Sequence, residues 1–322
     1  MNKIVLTTAR CGRFVASAAA ILLGAACTNG STSDSEESGE PADQEVRDEN
    51  SGEATSAAIT IPPGFSLINS WTGVSVYKKD WAGGYPDFVT IIDLGKASLQ
   101  SLTGTTNSAP CATVGRKSIG AIGAGTYWAA AQAADTLTKK TRVVLSGTFF
   151  NPTYDSDSSP TGISFGLKKD GQVLSYGYGV NNGVCGNANE APGGQLLFGF
   201  NQGGASAWIG GYSKAQMDNG TPNYAGAWGS TCCKKPSIYT GRTLVGIRDD
   251  NSNGVYETVM FFSSKSAMLT GVNGADDTLK NFGATVRANF DGGGSTGLVV
   301  NGSVKIATAR KIPHAFAVYS PN

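Results

Sequence analysis

A carboxylate followed by three glycines and a hydroxyl is the segment of this chain best suited to chemistry. Asp291 precedes Gly292, Gly293 and Gly294, and Ser295 follows them. Glycines accept positive φ and carry no Cβ, so consecutive backbone N–H groups can converge on an anion such as phosphate. Ser295 adds a donor, and Asp291 offers a carboxylate for acid–base work or for holding a sugar hydroxyl. The pattern favours an anion-binding site, and the alternative is a tight turn capped by Asp291.

A second polar side chain lies two residues before this carboxylate. Asn289 and Asp291 point to the same side of a predicted strand, because side chains alternate along strands. Two polar groups on one face of an otherwise apolar strand are hard to explain by packing alone. Asn289 is therefore a second candidate catalytic residue.

Acid–base chemistry is often shared between two carboxyl groups. Asp291 is the first candidate, and spacing does not single out the second. The remaining candidates are the loop residues Asp155, Glu190, Asp249 and Asp250.

The segment "DDNSNG" has the beginning of a calcium loop. Asp249, Asn251 and Asn253 precede Gly254 with the spacing of calcium ligands, but Met260 occupies the twelfth position, where Glu is expected. A hairpin turn rich in Asn and Gly explains the stretch equally well. Calcium at these three residues stays a candidate, and no cofactor is predicted to be required.

Four cysteines follow the N-terminal region, and in an oxidising compartment they predict two disulfides. A bond between the neighbours Cys232 and Cys233 is expected to be strained. We therefore expect each to pair outward, with Cys111 and Cys185 in either order. A zinc site is the alternative, but it lacks paired spacings and histidines, since His314 is the one histidine of the chain.

The elements that must position these residues are mostly strands. The chain has 44 glycines and is 15% charged, which suits a sheet-rich protein with many turns. Strands are predicted at residues 73–80, 86–95, 141–151 and 314–320, hairpins at 161–177, 195–212 and 242–262, and helices at 125–140 and 276–283. Residues 59–322 are thus predicted to form a single α+β domain, with a central β-sheet flanked by a few helices.

The N-terminus reads as an export signal and a tether. Basic residues precede a short apolar run, so residues 1–27 are predicted to be a signal peptide, and Cys27 is a candidate for lipidation. Gly24 stands where a lipobox usually has leucine, and the alternative is an ordinary secretory signal. Residues 28–58 are acidic and lack aromatic residues, which predicts a disordered tether. The expected location is the bacterial cell envelope, as a membrane-anchored or secreted protein.

Beyond residue 58 the chain is mildly basic, with 21 basic and 15 acidic residues. This balance suits an anionic small ligand or an envelope polymer. The charge is too weak and too scattered to indicate nucleic acid. Membrane contact is expected through the lipid anchor alone, and the sequence carries no signal for an oligomeric state.

Several ordered segments resemble one family. They are "VLSGTFFN", "PTGISFGLKKDGQVLSYG", "GRTLVGIRDDNSNGVYETVMFF", "DDTLKNFGATVRANFDGGGSTGLVVNG" and "ARKIPHAFAVY". Over roughly residues 73–319 the chain resembles the phosphodiester glycosidase family. The resemblance implies an α+β hydrolase that cleaves a sugar-1-phosphodiester, with the Asp-Gly-Gly-Gly-Ser loop at its active centre.

The resemblance also implies site residues. Arg242 and Arg310 match arginines of the family and are candidates for bidentate phosphate contacts, although either could instead form a surface ion pair. Thr161, Gly162 and Asn151 match its earlier motifs and are candidates for substrate binding. Ser146 departs from the family, which commonly has Asn there, so substrate preference or activity is expected to differ.

Three functions remain open at this point. The first is an exported, lipid-anchored glycosidase acting on a phosphodiester-linked glycan or envelope polysaccharide. The second is a non-catalytic glycan-binding or exopolysaccharide-assembly lipoprotein with the same fold. The third is a phosphodiesterase that attacks phosphorus.

Overall fold

The computed structural model describes residues 58–120, 126–151, 160–186, 189–190, 192–201, 206–233 and 235–322. The predicted signal peptide, the candidate lipidation residue Cys27, tether residues 28–57 and the candidate carboxylate Asp155 lie outside the described residues. Within these ranges, no helix has the length and apolar character needed to cross a bilayer.

Strands dominate the secondary structure. In chain order they are β1 Ser66–Trp71, β2 Val74–Lys79, β3 Asp87–Asp93, β4 Ser98–Thr103, β5 Thr113–Val114, β6 Lys139–Ser146, β7 Thr161–Gly162, β8 Leu167–Lys169, β9 Gln172–Ser175, β10 Gln195–Phe200, β11 Ala207–Gly211, β12 Asn223–Gly229, β13 Thr240–Arg248, β14 Thr258–Ala267, β15 Val286–Asn289, β16 Leu298–Val300, β17 Ser303–Ile306 and β18 His314–Pro321. The helices are α1 Tyr127–Gln132, α2 Lys214–Asp218 and α3 Ala275–Asn281, and a 3-10 turn covers Gly293–Ser295.

In the described ranges these strands form two main sheets and one small pair. The larger sheet has the order β1-β2-β3-β14-β13-β15-β12-β10-β11, and the hairpin β8-β9 joins it at β12. The smaller main sheet has the order β17-β16-β6-β18-β4, and β5 pairs with β7. All the pairings are antiparallel.

The inner faces of the two main sheets share one apolar core. Phe316 of the smaller sheet contacts three phenylalanines of the larger sheet, with ring centroids 5.2–5.8 Å apart. They are Phe198, Phe261 and Phe290, the last of which directly follows β15. Val143 on β6 is fully buried in the same cluster. Burying such side chains stabilises each by roughly 1.5–3 kcal/mol. The core therefore holds the two sheets face to face.

The helices cover the outer faces of the sheets. On the smaller sheet, Tyr127 and Trp128 of α1 pack against Val144 and Ala317. On the larger sheet, Leu279 of α3 packs in another apolar cluster. The prediction of a single sheet-rich domain with few helices is confirmed. The expectation of one central sheet is corrected to two stacked sheets.

The predicted helix at residues 125–140 is much shorter in the structure. Thr126 caps α1 by accepting the N–H of Ala129 at 3.1 Å. The chain then turns, and Asp135 accepts the backbone N–H of Thr141 at 2.8 Å. That turn feeds the last two predicted helical residues into β6, so pairing in the sheet overrides the alanine-rich helical preference.

The hairpin predictions are confirmed. Asp170 and Gly171 link β8 to β9 with φ of 49° and 82°, the left-handed geometry that a two-residue Asp-Gly turn requires. β10 pairs with β11, and β13 pairs with β14. These hairpins set the register of the larger sheet.

The four cysteines form two disulfides as predicted, but the predicted pairing is wrong, because the structure joins Cys111 to Cys185 and Cys232 to Cys233. Cys111 forms a β-bridge with Ser175. Asn182 folds the following loop back, donating to the carbonyl of Gly177 and accepting from the N–H of Cys185. This local folding brings Cys185 to Cys111 and leaves the adjacent pair for each other.

His314 is a buried structural residue. Its Nδ1 accepts the N–H of Thr148 at 3.1 Å, and its Nε2 lies 3.2 Å from the Ser101 hydroxyl. Burial, aided by the charge of Lys169, lowers the pKa of His314 to about 3. The neutral ring is therefore built into the fold.

Acidification should destabilise the protein through His314. The unfolded chain binds this proton below pH ~6.5, whereas the folded chain does so only near pH 3. The free energy of unfolding should therefore fall by about 1.4 kcal/mol per pH unit between these values. Urea titrations at pH 6.5, 5.8 and 5.0 measure this slope. An equal slope in His314→Gln would contradict the assignment.

Candidate active site

The Asp-Gly-Gly-Gly-Ser segment is the point where the chain crosses between the two main sheets. β15 lies between β13 and β12, and Asn289 is its last residue. The N–H of Asp291 then bonds the carbonyl of Gly147, which follows β6 of the smaller sheet, at 3.2 Å. After the 3-10 turn the chain enters β16. The candidate carboxylate of Asp291 therefore lies at the junction between the two main sheets.

Gly292 of this segment and Gly241 of β13 allow the two backbones to approach closely at this crossing. A Cβ on Gly292 would overlap the carbonyl oxygen of Gly241, and a Cβ on Gly241 would overlap the carbonyl oxygen of Gly293. Gly293 also has a φ of 60°. Packing and backbone conformation therefore both require glycine here.

Gly292→Ala should destabilise the protein by about 1–3 kcal/mol, because the backbone at Gly241 cannot yield as a side chain would. Gly294→Ala is the matched control, since its Cβ would meet the Cβ of Ala309 at 3.3 Å. Denaturant unfolding of both variants measures the difference. Equal stability of the two variants would contradict the proposed close approach.

Only part of the predicted amide cluster is available to a ligand. The N–H of Gly292 donates to Asp291 Oδ1 at 2.9 Å, and the N–H of Ser295 donates to the carbonyl of Gly292 at 3.1 Å. No hydrogen bond found in the described chain uses the N–H of Gly293 or Gly294. These two amides are the ones that remain for an anion.

Arg310 contacts both ends of the Asp291–Ser295 segment. Its Nε donates to the Ser295 hydroxyl at 2.8 Å, and its Nη2 lies 3.8 Å from Asp291 Oδ2. The guanidinium also lies over the Phe150 ring, 5.2 Å from the centroid. Arg310 is thus fixed from three sides while its side chain stays one-third exposed.

A cavity of about 430 Å³ opens on one side of this pair. Basic groups and backbone dominate its polar lining. The lining residues are Phe149, Cys233, Lys235, Thr240, Arg242, Asn289, Phe290, Asp291, Gly292, Gly293 and Arg310. Asn289 is buried, and its Oδ1 accepts no hydrogen bond from any described residue. A buried acceptor without a protein partner facing a cavity is suited to a ligand donor.

Arg242 contributes to this cavity differently from the prediction. Its Nε donates to the carbonyl of Ala267 at 3.1 Å, and its Nη2 donates to those of Lys235 and Ile238 at 2.8 and 3.0 Å. Burial lowers the pKa of the guanidinium. Arg242 therefore holds the loop before β13 and adds positive charge to the cavity. Its Nε and Nη2 groups donate to backbone carbonyls and not into the cavity.

A smaller cavity of about 240 Å³ adjoins the first and shares Phe149, Asp291 and Arg310 with it. Its lining is largely aromatic. The residues it adds are Phe150, Ser164, Phe165, Tyr178, Glu190 and Trp228. Phe149, Phe165 and Trp228 pack edge-on or tilted with centroids 4.6–5.5 Å apart. We call the larger cavity the basic chamber and the smaller one the aromatic chamber.

Glu190 is the second carboxylate that the fold brings to Asp291. Its backbone N–H bonds the carbonyl of Gly179 at 2.9 Å, and its side chain lines the aromatic chamber. Burial raises the pKa of Tyr178, and the charges of Glu190 and Asp291 raise it further. Tyr178, Glu190 and Asp291 all line the aromatic chamber.

The other described candidates for the second carboxylate, Asp249 and Asp250, form contacts within the turn between β13 and β14. Asp249 accepts the N–H of Gly254 at 2.7 Å, and Asp250 pairs with Arg248. The predicted calcium ligands share this turn: Asp249 also accepts the N–H groups of Asn251 and Asn253, each at 3.2 Å. The described chain holds no group of three His, Cys, Asp or Glu side chains arranged for a metal. Calcium binding stays an untested prediction.

Three residues predicted from the earlier family motifs, Thr161, Gly162 and Asn151, lie outside the lining of both chambers. Thr161 and Gly162 form β7, and the Thr161 hydroxyl donates to the carbonyl of Asn151. None of the three lines either chamber in the described structure, so their predicted part in substrate binding stays a prediction. Ser146, where the family commonly has Asn, is buried and accepts the N–H of Gly297 at 2.8 Å.

Fold and cleft together define a sheet-rich protein whose candidate site combines basic, acidic and aromatic groups. The chain belongs to the phosphodiester glycosidase family, whose sequence profile matches residues 116–319. This confirms the resemblance drawn from the motifs. The family is one of hydrolases.

Two solved structures can be aligned with this chain. A hypothetical protein from Synechocystis aligns with a TM-score of 0.45 and 12% identity, over 80% of this chain and 64% of that one. The zebrafish N-acetylglucosamine-1-phosphodiester alpha-N-acetylglucosaminidase catalytic domain, auto-inhibited by its pro-peptide, aligns with a TM-score of 0.43 and 17% identity, over 80% and 81%. The chain thus spans about two-thirds of the length of the Synechocystis protein. A comparison with curated proteins finds no match.

Proposed function

We propose that this protein is a glycosidase that hydrolyses a sugar-1-phosphodiester at the junction of the two chambers. The single observation that carries the proposal is the position of Asp291 and Arg310, which line both chambers. The basic chamber adds cations and backbone amides to this pair, and the aromatic chamber adds aromatic rings and a second carboxylate. A phosphodiester-linked sugar matches this arrangement, because its phosphodiester is anionic and its sugar ring is uncharged.

The chamber linings orient the substrate. The phosphodiester lies in the basic chamber, where Arg310, Lys235 and the N–H of Gly293 face its oxygens. The sugar lies in the aromatic chamber, where Trp228 and Tyr178 offer apolar faces to a pyranose ring. The bond between C1 and the bridging oxygen then lies beside Asp291.

Hydrolysis follows from this placement. A water oxygen bonds to C1 while the bond from C1 to the phosphate oxygen breaks. The phosphate leaves as a monoester with the bonding electrons, and Arg310 stabilises its charge. Glu190 takes the proton of the water, and Asp291 stabilises the positive charge that develops at C1.

Arg310→Lys should lower kcat/KM by about 10- to 100-fold, because lysine cannot reproduce the directed donors of a guanidinium. Arg142→Lys is a closely matched control. Arg142 donates from Nε to Ser320 at 2.8 Å and lies over the Trp71 ring at 5.3 Å, yet it lines neither chamber. Steady-state rates of both variants test the assignment. Equal losses would assign Arg310 a structural role only.

A panel of synthetic α-sugar-1-phosphate diesters tests the proposal as a whole. The expected result is release of free sugar and a phosphomonoester from at least one member. If the wild-type protein released sugar from none of them, the non-catalytic glycan-binding alternative would replace the proposal.

We also propose that the protein acts in the cell envelope. The Cys111–Cys185 disulfide supports export, since such bonds persist in oxidising compartments. Cys27 is the proposed lipid anchor. Metabolic labelling with a palmitate analogue, lost in Cys27→Ala, tests the anchor.

A further inference from the structure

A third cavity, of about 310 Å³, lies apart from the two chambers and is not used by the proposed reaction. It is formed where the loop after β2 meets the start of β3, the end of β14 and the loop before β13. The lining residues that matter are Trp81, Tyr85, Asp87, Tyr239, Ser266 and Asn273. We call it the aromatic pocket.

A buried carboxylate forms one wall of the aromatic pocket. Asp87 is 1% exposed, and its Oδ2 accepts the indole N–H of Trp81 at 2.7 Å. Its Oδ1 accepts no hydrogen bond from the described residues. Burial raises the pKa of this carboxyl, although the neighbouring Ser264 hydroxyl, the Trp81 indole and the charge of Lys79 act in the opposite direction. A buried acceptor in this state is costly unless a ligand donates to it.

Aromatic rings form the rest of the wall. Tyr85 is 50% exposed and Tyr239 is 57% exposed, although large rings are usually buried in a sheet-rich core. With Trp81, these rings offer apolar faces beside the polar groups of Ser266 and Asn273. Apolar ring faces together with hydroxyl-binding groups suit the apolar and polar surfaces of a pyranose.

Charge favours a neutral sugar over a cation in this pocket. Aromatic rings beside a carboxylate can also bind a quaternary ammonium. Here, however, Lys79 Nζ already lies 4.1 Å from the Trp81 centroid, and Lys265 Nζ lies 4.7 Å from that of Tyr85. Two ammonium groups on these rings repel a further cation and leave a neutral hydroxyl-rich ligand unaffected.

One loop contributes residues both to the aromatic pocket and to the basic chamber. Tyr239 precedes Thr240, which lines the basic chamber. Arg242 lines that chamber and bonds the carbonyl of Ala267, which lines the pocket. The short loop before β13 is therefore shared by the two cavities.

We propose that the aromatic pocket is a carbohydrate subsite that binds a pyranose unit of a glycan. Its carboxylate accepts a sugar hydroxyl, and Trp81, Tyr85 and Tyr239 contact the ring. That this unit belongs to the same glycan as the one hydrolysed rests on the proposed function. The substrate class is then a polymer or a long oligosaccharide.

Isothermal titration of the full chain with four hexasaccharides tests the subsite. The probes are cellohexaose, maltohexaose, laminarihexaose and the hexamer of N-acetylglucosamine, with choline as the cationic comparison. At least one hexasaccharide should bind and choline should not. Tyr239→Ala should weaken the bound hexasaccharide roughly tenfold, and Tyr85→Ala should do the same. Asp291→Asn should leave its Kd within about twofold.

Several outcomes would overturn the subsite. These are no binding by any hexasaccharide at about 10 mM, binding of choline instead, or a Kd that changes in Asp291→Asn but not in Tyr239→Ala. Both tyrosine variants change exposed side chains, so they are expected to fold and to keep the test decisive. The titration measures binding and needs no hydrolysis. It therefore tests the subsite even if the protein does not catalyse the proposed reaction.

A second measurement links the pocket to the reaction. Tyr239→Ala should hydrolyse a small α-sugar-1-phosphate diester at the wild-type rate and raise KM for a long glycan diester about tenfold. Equal KM changes for both substrates would contradict a role in binding the distal part of a glycan.

Discussion

Asp291→Asn should abolish most sugar release, lowering kcat for a sugar-1-phosphate diester by about 1000-fold. The change keeps the size of the side chain and its acceptor for the N–H of Gly292, but it removes the negative charge beside C1 and opposite Arg310. Since that charge matters most as positive charge develops at C1, KM should change by less than about fivefold. Initial rates over a range of substrate concentrations measure both constants.

Asp170→Asn is the matched control for this variant. It makes the same change of charge at the β8–β9 turn, where asparagine tolerates the positive φ. It should keep the wild-type rate. Unchanged sugar release in Asp291→Asn, with folding intact by circular dichroism, would remove Asp291 from the mechanism.

Glu190→Gln should lower kcat by about 100- to 1000-fold, because the attacking water loses its base. Azide attacks C1 without first losing a proton, so it should restore turnover in this variant and give a glycosyl azide. Mass spectrometry of the products detects that compound.

Glu257→Gln is the control for the second carboxylate. Glu257 accepts the N–H of Asp250 at 3.1 Å in the β13–β14 turn, and it lines neither chamber. Its activity should equal that of the wild type. A Glu190→Gln protein with wild-type kcat would leave Asp291 as the one carboxylate of the reaction.

Local sequence signals predict much of the fold. The Asp170-Gly171 turn fixes one hairpin, and continuous β-branched and aromatic runs mark β3 and β13. The segment from Asp291 to Ser295 can likewise be singled out, because three glycines beside a carboxylate have few purely structural uses. These predictions depend on residues that are neighbours in the chain.

Features that depend on distant residues escape such signals. The stacking of two sheets brings Phe198 to Phe316, and nothing in either segment specifies the partner. Spacing leaves Glu190 as one of four equal candidates, and only the folding of its loop onto Gly179 places it in the aromatic chamber. The pairing of Cys111 with Cys185 depends on the same loop.

Hydrolysis of a sugar-1-phosphate diester in oxygen-18 water tests the central claim most directly. If the carboxylates act at C1, as proposed, the label appears in the released sugar at its anomeric oxygen and the phosphomonoester stays unlabelled. Product mass spectrometry must precede exchange of the free sugar with solvent. Label in the phosphomonoester would mean attack at phosphorus and would contradict the proposed glycosidase.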